Sequence, residues 1–298
     1  MLSQQLINAT VLGSMYALIG VGFTLYFGML NLINMAHGGI YMLGAFIALS
    51  AFHVGAQLGL PPVLLAVAVI IVSIVLTGGV GVVIERIAVK PLRHAPPLVF
   101  LISSMAVYMV LEELVLTLYP NGANPQVFPD PFDLKSFSIG PVVMGYVQVF
   151  LIAVAVLSIA SLHFVITRTD LGRAIRAVTA DPIGAQMMGI DVDRTIGRTF
   201  FIGSGLAAVG GILEGMNFGS VMFNMGFLAA IKGFTAAVIG GLGNVYGALA
   251  GGFLVALVEV MASGYLPGGA AYKNVITFSL LILCLVFRPT GLLRSAIH

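Results

Sequence analysis

The sequence predicts an all-α, polytopic membrane protein with eight to ten transmembrane helices, and nine is the count that fits best. Two observations predict this fold class. Of the 298 residues, 59% are hydrophobic and 8% are charged, whereas soluble domains have about 45–50% apolar and about 25% charged residues. The apolar residues also gather into runs of roughly 20, the length that crosses a bilayer as a helix. Lipid is therefore the expected solvent for most of the surface.

Nine candidate spans follow one another along the chain. The region 225–263 counts twice, because it is too long for one span and glycines interrupt it near residue 242. One of the segments 35–54, 217–230 or 225–241 could instead be re-entrant, which leaves the count open. The runs cover residues 6–28, 35–54, 61–84, 97–119, 142–166, 196–216, 225–263 and 272–288.

Basic residues predict the orientation, because lysine and arginine are concentrated in cytoplasmic loops. With nine spans, ten of the thirteen basic residues fall on one side, which places the N-terminus outside and the C-terminus in the cytoplasm. The chain then forms one transmembrane domain over residues 1–298, with an extracytoplasmic loop at 120–140 and a cytoplasmic loop at 167–195. The ten residues are Arg86, Lys90, Arg93, Arg168, Arg173, Arg176, Arg194, Arg198, Arg288 and Arg294.

Glycine is frequent, with 37 residues, and two sets recur at every fourth position. This spacing puts the members of a set on one helix face, where the missing Cβ lets a second backbone approach closely. Such faces can also slide or hinge during a conformational cycle, and the spacing is compatible with both roles. We predict helix packing at Gly211, Gly215, Gly243, Gly247 and Gly251.

The cytoplasmic loop contains the signals of a short helix. Asp181 can cap free backbone amides, Pro182 fits the first helical position, and Gly189 is a natural stop about two turns later. These signals predict a helix over 182–188. A second helix start at Asp193 leads into the sixth span.

The side chains of this short helix predict a contact surface. Ile183, Ala185, Met187 and Met188 are small or apolar, although a cytoplasmic loop has no intrinsic need for an exposed apolar helix. Such a surface usually binds a partner, and the alternative is that the helix packs back onto the membrane domain. Three nearby arginines would contact lipid headgroups or an acidic partner. They are Arg168, Arg173 and Arg176.

Polar residues within the apolar runs are candidates for a functional pathway, because lipid makes them costly unless they face protein or water. Asn34, His37 and Gly38 interrupt the start of the second span. They would line a pathway, or they would form an interhelical hydrogen bond beside a glycine kink. Glu112, in the fourth span, joins them as a pathway candidate.

Further charged residues lie toward the outer ends of their spans. Glu113, Glu214 and Glu259, like Glu112, are within reach of the outer interface, where simple solvation is expected. Lys232 lies in the outer half of the seventh run and could form an ion pair with one of these carboxylates.

Several motifs resemble bacterial branched-chain amino-acid ABC importer permeases, and the resemblance covers nearly the whole chain. Residues 172–190, GRAIRAVTADPIGAQMMGI, are similar to the coupling loop of that family. Residues 34–44, NMAHGGIYMLG, resemble its second-helix motif. Further matches are ER at 85–86, KPLR at 90–93, FTAAVIGGLG at 234–243 and RPTG at 288–291. The chain resembles the H-type subunit more than the longer M-type subunit.

The resemblance implies a transport subunit of a bacterial inner membrane, not an enzyme. Its implied partners are a second related permease, two cytoplasmic ATPase subunits, an extracytoplasmic solute-binding protein and membrane lipid, but no nucleic acid. ATP and Mg would be bound by the ATPase subunits, because no lysine here follows a glycine and a Walker-type loop is therefore absent from the sequence. The resemblance implies ATPase coupling by Gly172, Arg173, Arg176, Asp181, Pro182, Ala185, Met188 and Gly189.

Other functions stay open from the sequence. An ion-driven secondary transporter would need charges near the middle of the membrane, and the few charges here lie near span ends. An intramembrane enzyme would need paired catalytic groups at one depth, but every aspartate lies in a loop and the five histidines are scattered, without metal-ligand spacing. Within the ABC class, the solute could be a branched-chain amino acid, urea, a short amide or an aromatic acid, and the two permeases could be identical.

Overall fold

The computed structural model describes residues 2–130, 132, 135–140, 142–288 and 290–293. Pro289 and Arg294, which belong to the motifs and the charge count above, lie outside the described residues. The predicted all-α, polytopic fold is confirmed, because eight of the described helices are long and apolar enough to cross a membrane. A ninth apolar helix, Met225–Gly240, is shorter.

Eleven helices follow one another in the described chain, and the nine predicted spans each correspond to one of them. The helices are α1 (Leu2–Leu30), α2 (Ala36–Gln57), α3 (Pro62–Ile84), α4 (Pro97–Leu118), α5 (Tyr146–Arg168), α6 (Asp170–Ala180), α7 (Pro182–Met187), α8 (Val192–Phe218), α9 (Met225–Gly240), α10 (Val245–Tyr265) and α11 (Gly269–Phe287). A π-helical turn (Glu85–Val89) and a 3-10 turn (Lys90–Leu92) extend α3.

Four short strands lie in the loops of the described chain and form two antiparallel pairs. β1 (Gln126–Val127) pairs with β4 (Ser220–Val221), and β2 (Ser136–Ile139) pairs with β3 (Val142–Gly145). The predicted loop at 120–140 is thereby attached to the end of α8, where the amide of Phe128 donates to the carbonyl of Gly219 at 3.0 Å.

Helices α1 and α8 form the centre of the bundle. In their most apolar stretches, 72% and 83% of the residues are buried in the protein, compared with 17% in α5 and 6% in α11. A helix that is apolar on every side needs a partner or lipid around its whole circumference. The exposed apolar surfaces of α5 and α11 are therefore the ones that meet lipid or another chain.

The short helix α9 runs from one face of the bundle to the other. Its start lies beside Asn8 near the start of α1 and Lys273 in the second turn of α11. At its end, the carbonyls of Ile239 and Gly240 accept hydrogen bonds from the amides of Leu292 and Leu293, at 2.8 and 3.0 Å. These contacts place the two ends of α9 on opposite faces. They favour nine passages within the described residues over a re-entrant α9.

Three of the five glycines predicted to pack helices lie at close contacts with the backbone of another helix, and a fourth, Gly215, packs against loop side chains. A Cβ on Gly211 would collide with the carbonyl of Tyr41, and one on Gly215 would lie 2.8 Å from side-chain atoms of Phe128 and Val221. In α10, Cβ atoms at Gly247 and Gly251 would collide with the carbonyl oxygens of Gly240 and Ala236 in α9.

The prediction for Gly243 is wrong. This residue lies in the turn between α9 and α10, with a φ of +85°, a conformation that favours glycine. Because α10 begins only at Val245, Gly243 does not share a helix face with Gly247 and Gly251.

We expect Gly251→Ala to destabilise the protein. The new methyl group would collide with the Ala236 carbonyl and lie 2.9 Å from the Gly240 amide nitrogen, so α9 and α10 must separate. Overpacking of this kind costs about 1–3 kcal/mol, which should lower the thermal unfolding midpoint in detergent by several degrees. Gly79→Ala is the control, because a Cβ there meets nothing within 4 Å. Equal midpoints for the two variants would contradict the packing role.

Candidate functional site

A polar cavity lies at one end of the bundle, between the starts of α1, α9 and α11 and the ends of α8 and α10. Its volume of about 540 Å³ is within the range of small-molecule sites. Its apolar lining includes Val11, Leu12, Met15, Met225 and Leu228. Its polar lining consists of Asn8, Tyr16, Gln148, Glu214, Asn217, Asn224, Lys232, Glu259, Ser263 and Lys273.

A buried ion pair forms one side of this cavity. Lys232 and Glu259 are only 4% and 3% exposed, and the Lys232 Nζ donates to both carboxylate oxygens at 2.8 and 3.0 Å. The hydroxyl of Tyr16 donates to Glu259 Oε2 at 2.8 Å and accepts from Lys232 Nζ at 2.8 Å. The predicted pairing of Lys232 with an outer carboxylate is confirmed. The expectation of simple solvation is wrong for Glu259, because this closed cluster buries its carboxylate.

Two further charges face the same cavity. Lys273 Nζ lies 3.6 Å from Glu259 Oε1, and its side chain is 41% exposed. Glu214 is partly buried, and its Oε2 accepts a hydrogen bond from the Tyr41 hydroxyl at 2.5 Å. No lysine or arginine among the described residues lies within ion-pair distance of Glu214, so its negative charge lacks a direct counter-ion.

The pathway residues predicted from the sequence lie elsewhere in the bundle, outside the lining of this cavity. Asn34 is buried, and its Oδ1 accepts from the Ala36 amide at 3.1 Å at the start of α2. Gly38 packs against α9, where an added Cβ would lie 2.6 Å from Ala230. Glu112 is half-buried on α4. Asn34, His37 and Gly38 lie together at the start of α2, and the neighbouring Gly39 packs against Leu111 of α4.

The side chain of His37 packs against aromatic residues of α1, and its ring nitrogens lack well-formed hydrogen bonds to the described residues. Its centroid lies 4.8 Å from that of Phe23 and 5.0 Å from that of Tyr26, and its side chain is fully buried. Within the part of the chain that the structure describes, neither ring nitrogen has a hydrogen-bond partner of good geometry, although the carbonyl of Ile19 approaches the ring. Most buried polar groups have a partner, which makes this junction an unusual point in the packing.

The short helix predicted over 182–188 is confirmed as α7, Pro182–Met187. The Asp181 side chain accepts from the Ile183 amide at 3.0 Å, Pro182 is the first helical residue, and Gly189 has a φ of +83° after the helix end. Ala185 is buried against the protein, so one side of the helix packs back onto the bundle.

The other side of α7 is an exposed apolar surface, which we call the α7 surface. It consists of Ile183, Met187 and Met188, with 73%, 83% and 83% of each residue exposed. Unlike the apolar surfaces of the spans, it belongs to a loop rather than to a membrane helix.

The loop also contains the helix α6, which the sequence did not predict. Thr169 caps it by accepting from the Gly172 amide at 3.2 Å, and Gly172 is packed against the last turn of α5. Exposed Arg173 pairs with Asp170, and Arg176 donates to the carbonyl of Ile166. Gly172 and Arg176 therefore hold α6 against the end of α5, whereas the Arg173–Asp170 pair lies within α6.

The start of α8 differs from the prediction. Asp191 is the capping residue, with its Oδ1 accepting from the Arg194 amide at 2.9 Å. Asp193, which was the predicted start, instead pairs with Lys90 and Arg93 at 2.6 Å each. Arg93 also pairs with the buried carboxylate of Glu85 at the end of α3. This ion-pair network fixes the end of the loop 167–195 to the extension of α3.

Sequence reasoning missed Tyr16, Tyr41 and Lys273 as site residues. The one sequence signal for this site was a charged side chain within an apolar run, and this signal identified Lys232. The residues around Lys232 come from four other helices, and Tyr16 and Glu259 are 243 residues apart. No sequence spacing connects them.

Comparison with known proteins shows full-length relatives. A family model described as "Branched-chain amino acid transport system / permease component" matches residues 5–285. The permease protein BraD of a high-affinity branched-chain amino acid transport system in Pseudomonas aeruginosa is 41% identical, over 97% of this chain and 95% of the relative. The corresponding LivH of Escherichia coli is 36% identical over 97% and 94%. A fructose import permease, FruG of Bifidobacterium longum, is 26% identical over 84% and 74%.

Proposed function

Because the chain belongs to the family of branched-chain amino acid transport permease components, we propose that it carries branched-chain amino acids inward as one subunit of an ATP-driven importer. The relationship to permeases over nearly the full length carries this proposal. The fold agrees with it, since the chain is a multi-pass inner-membrane protein.

The proposed partners are two cytoplasmic ATPase subunits, a second related permease and an extracytoplasmic solute-binding protein. The α7 surface supports an ATPase contact, because it presents three large apolar side chains that the described residues leave uncovered. Asp181 and Pro182 start the helix, Gly189 ends it, and Ala185 anchors it to the bundle. ATP and Mg are held by the ATPase subunits, and this chain supplies no catalytic group.

The N-terminus is proposed to lie outside the cell and the C-terminus in the cytoplasm. The structure places α6, α7 and the end of α9 on one face, since Thr179 and Gly243 both lie within 4 Å of a Cβ built on Gly28. Most basic residues of the chain belong to loops on this face, which supports a cytoplasmic position. The polar cavity then opens outward, where an incoming solute arrives.

Transport requires that the two permeases alternate between outward-open and inward-open states. Binding and hydrolysis of ATP would shift this equilibrium through the α7 surface, because a partner can bias only states to which it binds differently.

Asn34, His37 and Gly38 are proposed to belong to the pathway, at a contact between helices that changes during the transport cycle. The unsatisfied ring of His37 supports this, since a second state can supply the missing hydrogen bond. Glu112 stays a prediction.

The experiment is ATP hydrolysis and solute uptake by the complete complex in proteoliposomes, with leucine titrated against urea and an aromatic amino acid. We expect leucine to stimulate ATP hydrolysis and uptake. Stimulation by another solute alone would keep the importer and replace the branched-chain assignment. Uptake that follows an imposed ion gradient without ATP would favour a secondary transporter and overturn the proposal.

A further inference from the structure

We propose that the polar cavity is a binding site for a zwitterion with an apolar side chain, in which Glu214 receives the ammonium group and Lys273 the carboxylate. The inference deepens the proposed function and rests on it for the choice of solute. It assigns recognition of the solute to this permease chain in addition to any binding protein.

The charges of the cavity are arranged as two poles. One pole contains Lys232, Lys273 and the single carboxylate of Glu259, and therefore has an excess of one positive charge. The other pole is Glu214, with one negative charge and, among the described residues, only the Tyr41 hydroxyl as a direct partner. The charges of the two poles sum to zero. A solute with a net charge would therefore give the occupied cavity a net charge, whereas a zwitterion places an opposite charge at each pole and adds none.

Glu214 is suited to an ammonium group. Its Oε2 is occupied by the hydroxyl of Tyr41, while no hydrogen bond to its Oε1 comes from the described residues. The carboxylate lines the same cavity as Lys232, which pairs with Glu259 and not with Glu214. An ammonium donor would complete the set of partners that a partly buried carboxylate needs.

Lys273 is suited to a carboxylate, and Lys232 is not. Lys232 already donates to both Glu259 oxygens and to Tyr16, so it has no donor left for a ligand. Lys273 lies 3.6 Å from Glu259 Oε1, beyond hydrogen-bond distance, and is 41% exposed. Its ammonium can therefore turn to a solute carboxylate while the Lys232–Glu259 pair stays intact.

The apolar part of the cavity wall indicates what side chain the solute should have. Apolar groups from α1 and α9 face the cavity beside the two poles, which suits a branched aliphatic side chain. Small uncharged polar solutes such as urea would leave both poles without a partner. The apolar wall residues are Val11, Leu12, Met15, Met225, Leu228 and Ala229.

The test measures binding of radiolabelled leucine to the complex of permease and ATPase subunits in nanodiscs. The solute-binding protein is left out, and two competitors are added. 4-Methylpentanoate lacks the ammonium group of leucine, and 3-methylbutylamine lacks the carboxylate. We expect both to compete at least tenfold more weakly than unlabelled leucine. The variants are Glu214→Gln and Lys273→Gln, and Glu113→Gln is the control because it neutralises an exposed carboxylate outside the cavity.

The two variants should lose affinity for different groups. Glu214→Gln should weaken leucine binding at least tenfold but should not weaken binding of the anion 4-methylpentanoate. Lys273→Gln should weaken leucine equally but should not weaken binding of the cation 3-methylbutylamine, a pattern that general misfolding does not produce. Wild-type leucine affinity in both variants, or no leucine binding to the wild-type complex, would overturn the inference. Leucine uptake by the wild-type complex tests the proposed function separately, so the two can fail independently.

Discussion

Replacing both Met187 and Met188 by glutamate should abolish solute-stimulated ATP hydrolysis, while the permease stays folded in the membrane. Both residues are 83% exposed on the α7 surface, so the change does not disturb the packing of the chain itself. In the proposed complex the same side chains are buried against an ATPase subunit, where unpaired carboxylates are costly. Losses at the centre of an interface reach about 2–4 kcal/mol, which is a roughly 30-fold or greater loss of affinity.

The control is the double variant with leucine at both positions. It keeps an apolar α7 surface of similar volume, so assembly and ATP hydrolysis should remain near wild type. Co-purification of ATPase subunits with the permease and ATP hydrolysis with saturating solute are the two measurements. Full activity of the glutamate variant would show that the α7 surface is not the ATPase contact.

The sequence predicted the spans well because each span depends on local composition. The run at 61–84 is α3, Pro62–Ile84, and the run at 97–119 is α4, Pro97–Leu118. In both cases proline at the first helical position marks the start. A span must satisfy its own backbone hydrogen bonds in lipid, so its length is set by the bilayer and not by its neighbours.

Local signals also predicted α7 but failed for the adjacent elements. The Asp181–Pro182 start and the Gly189 stop lie within a few residues of one another. The helix α6 has polar and apolar residues mixed as in an ordinary soluble helix, and its cap, Thr169, directly follows a span. At α8, two aspartates two residues apart both fit a helix start, and only the structure shows that Asp193 is engaged by Lys90 instead.

The polar cavity could not be predicted, because its chemistry arises from contacts between distant helices. Lys232 and Glu259 are each an isolated charge in an apolar run, and their pairing depends on how α9 and α10 pack. The same limit explains Gly243: its spacing fits a helix face, but the turn between α9 and α10 contains it. Spacing defines a face only when the residues belong to one helix.

Neutralising either member of the buried ion pair should have the largest effect on stability. Glu259→Gln leaves the Lys232 ammonium buried without a carboxylate within ion-pair distance among the described residues, and Lys232→Gln leaves the Glu259 carboxylate without its main partner. Breaking a buried pair on one side costs about 3–5 kcal/mol. That is a large part of a total stability of about 5–15 kcal/mol. We expect a lower membrane yield and a strongly reduced thermal unfolding midpoint in detergent.

The two single variants should not lose the same amount of stability. Lys273 lies 3.6 Å from Glu259, so in Lys232→Gln it can move closer and compensate part of the carboxylate charge. Lys232 in Glu259→Gln has no second carboxylate within ion-pair distance among the described residues, because its other direct partner is the neutral hydroxyl of Tyr16. Glu259→Gln should therefore be the less stable variant.

The double variant Lys232→Gln/Glu259→Gln separates a charge effect from a packing effect. Two amides can hydrogen-bond to each other and to Tyr16, and no unpaired charge remains, so most of the lost stability should return. If the single variants lost stability only because packing was removed, the double variant would instead lose the sum of the two single losses. Glu113→Gln, which removes an exposed carboxylate, should match the wild-type midpoint. If both single variants also match it, the ion pair contributes little, and the fold of this end of the bundle depends on the apolar contacts of α1, α9 and α10.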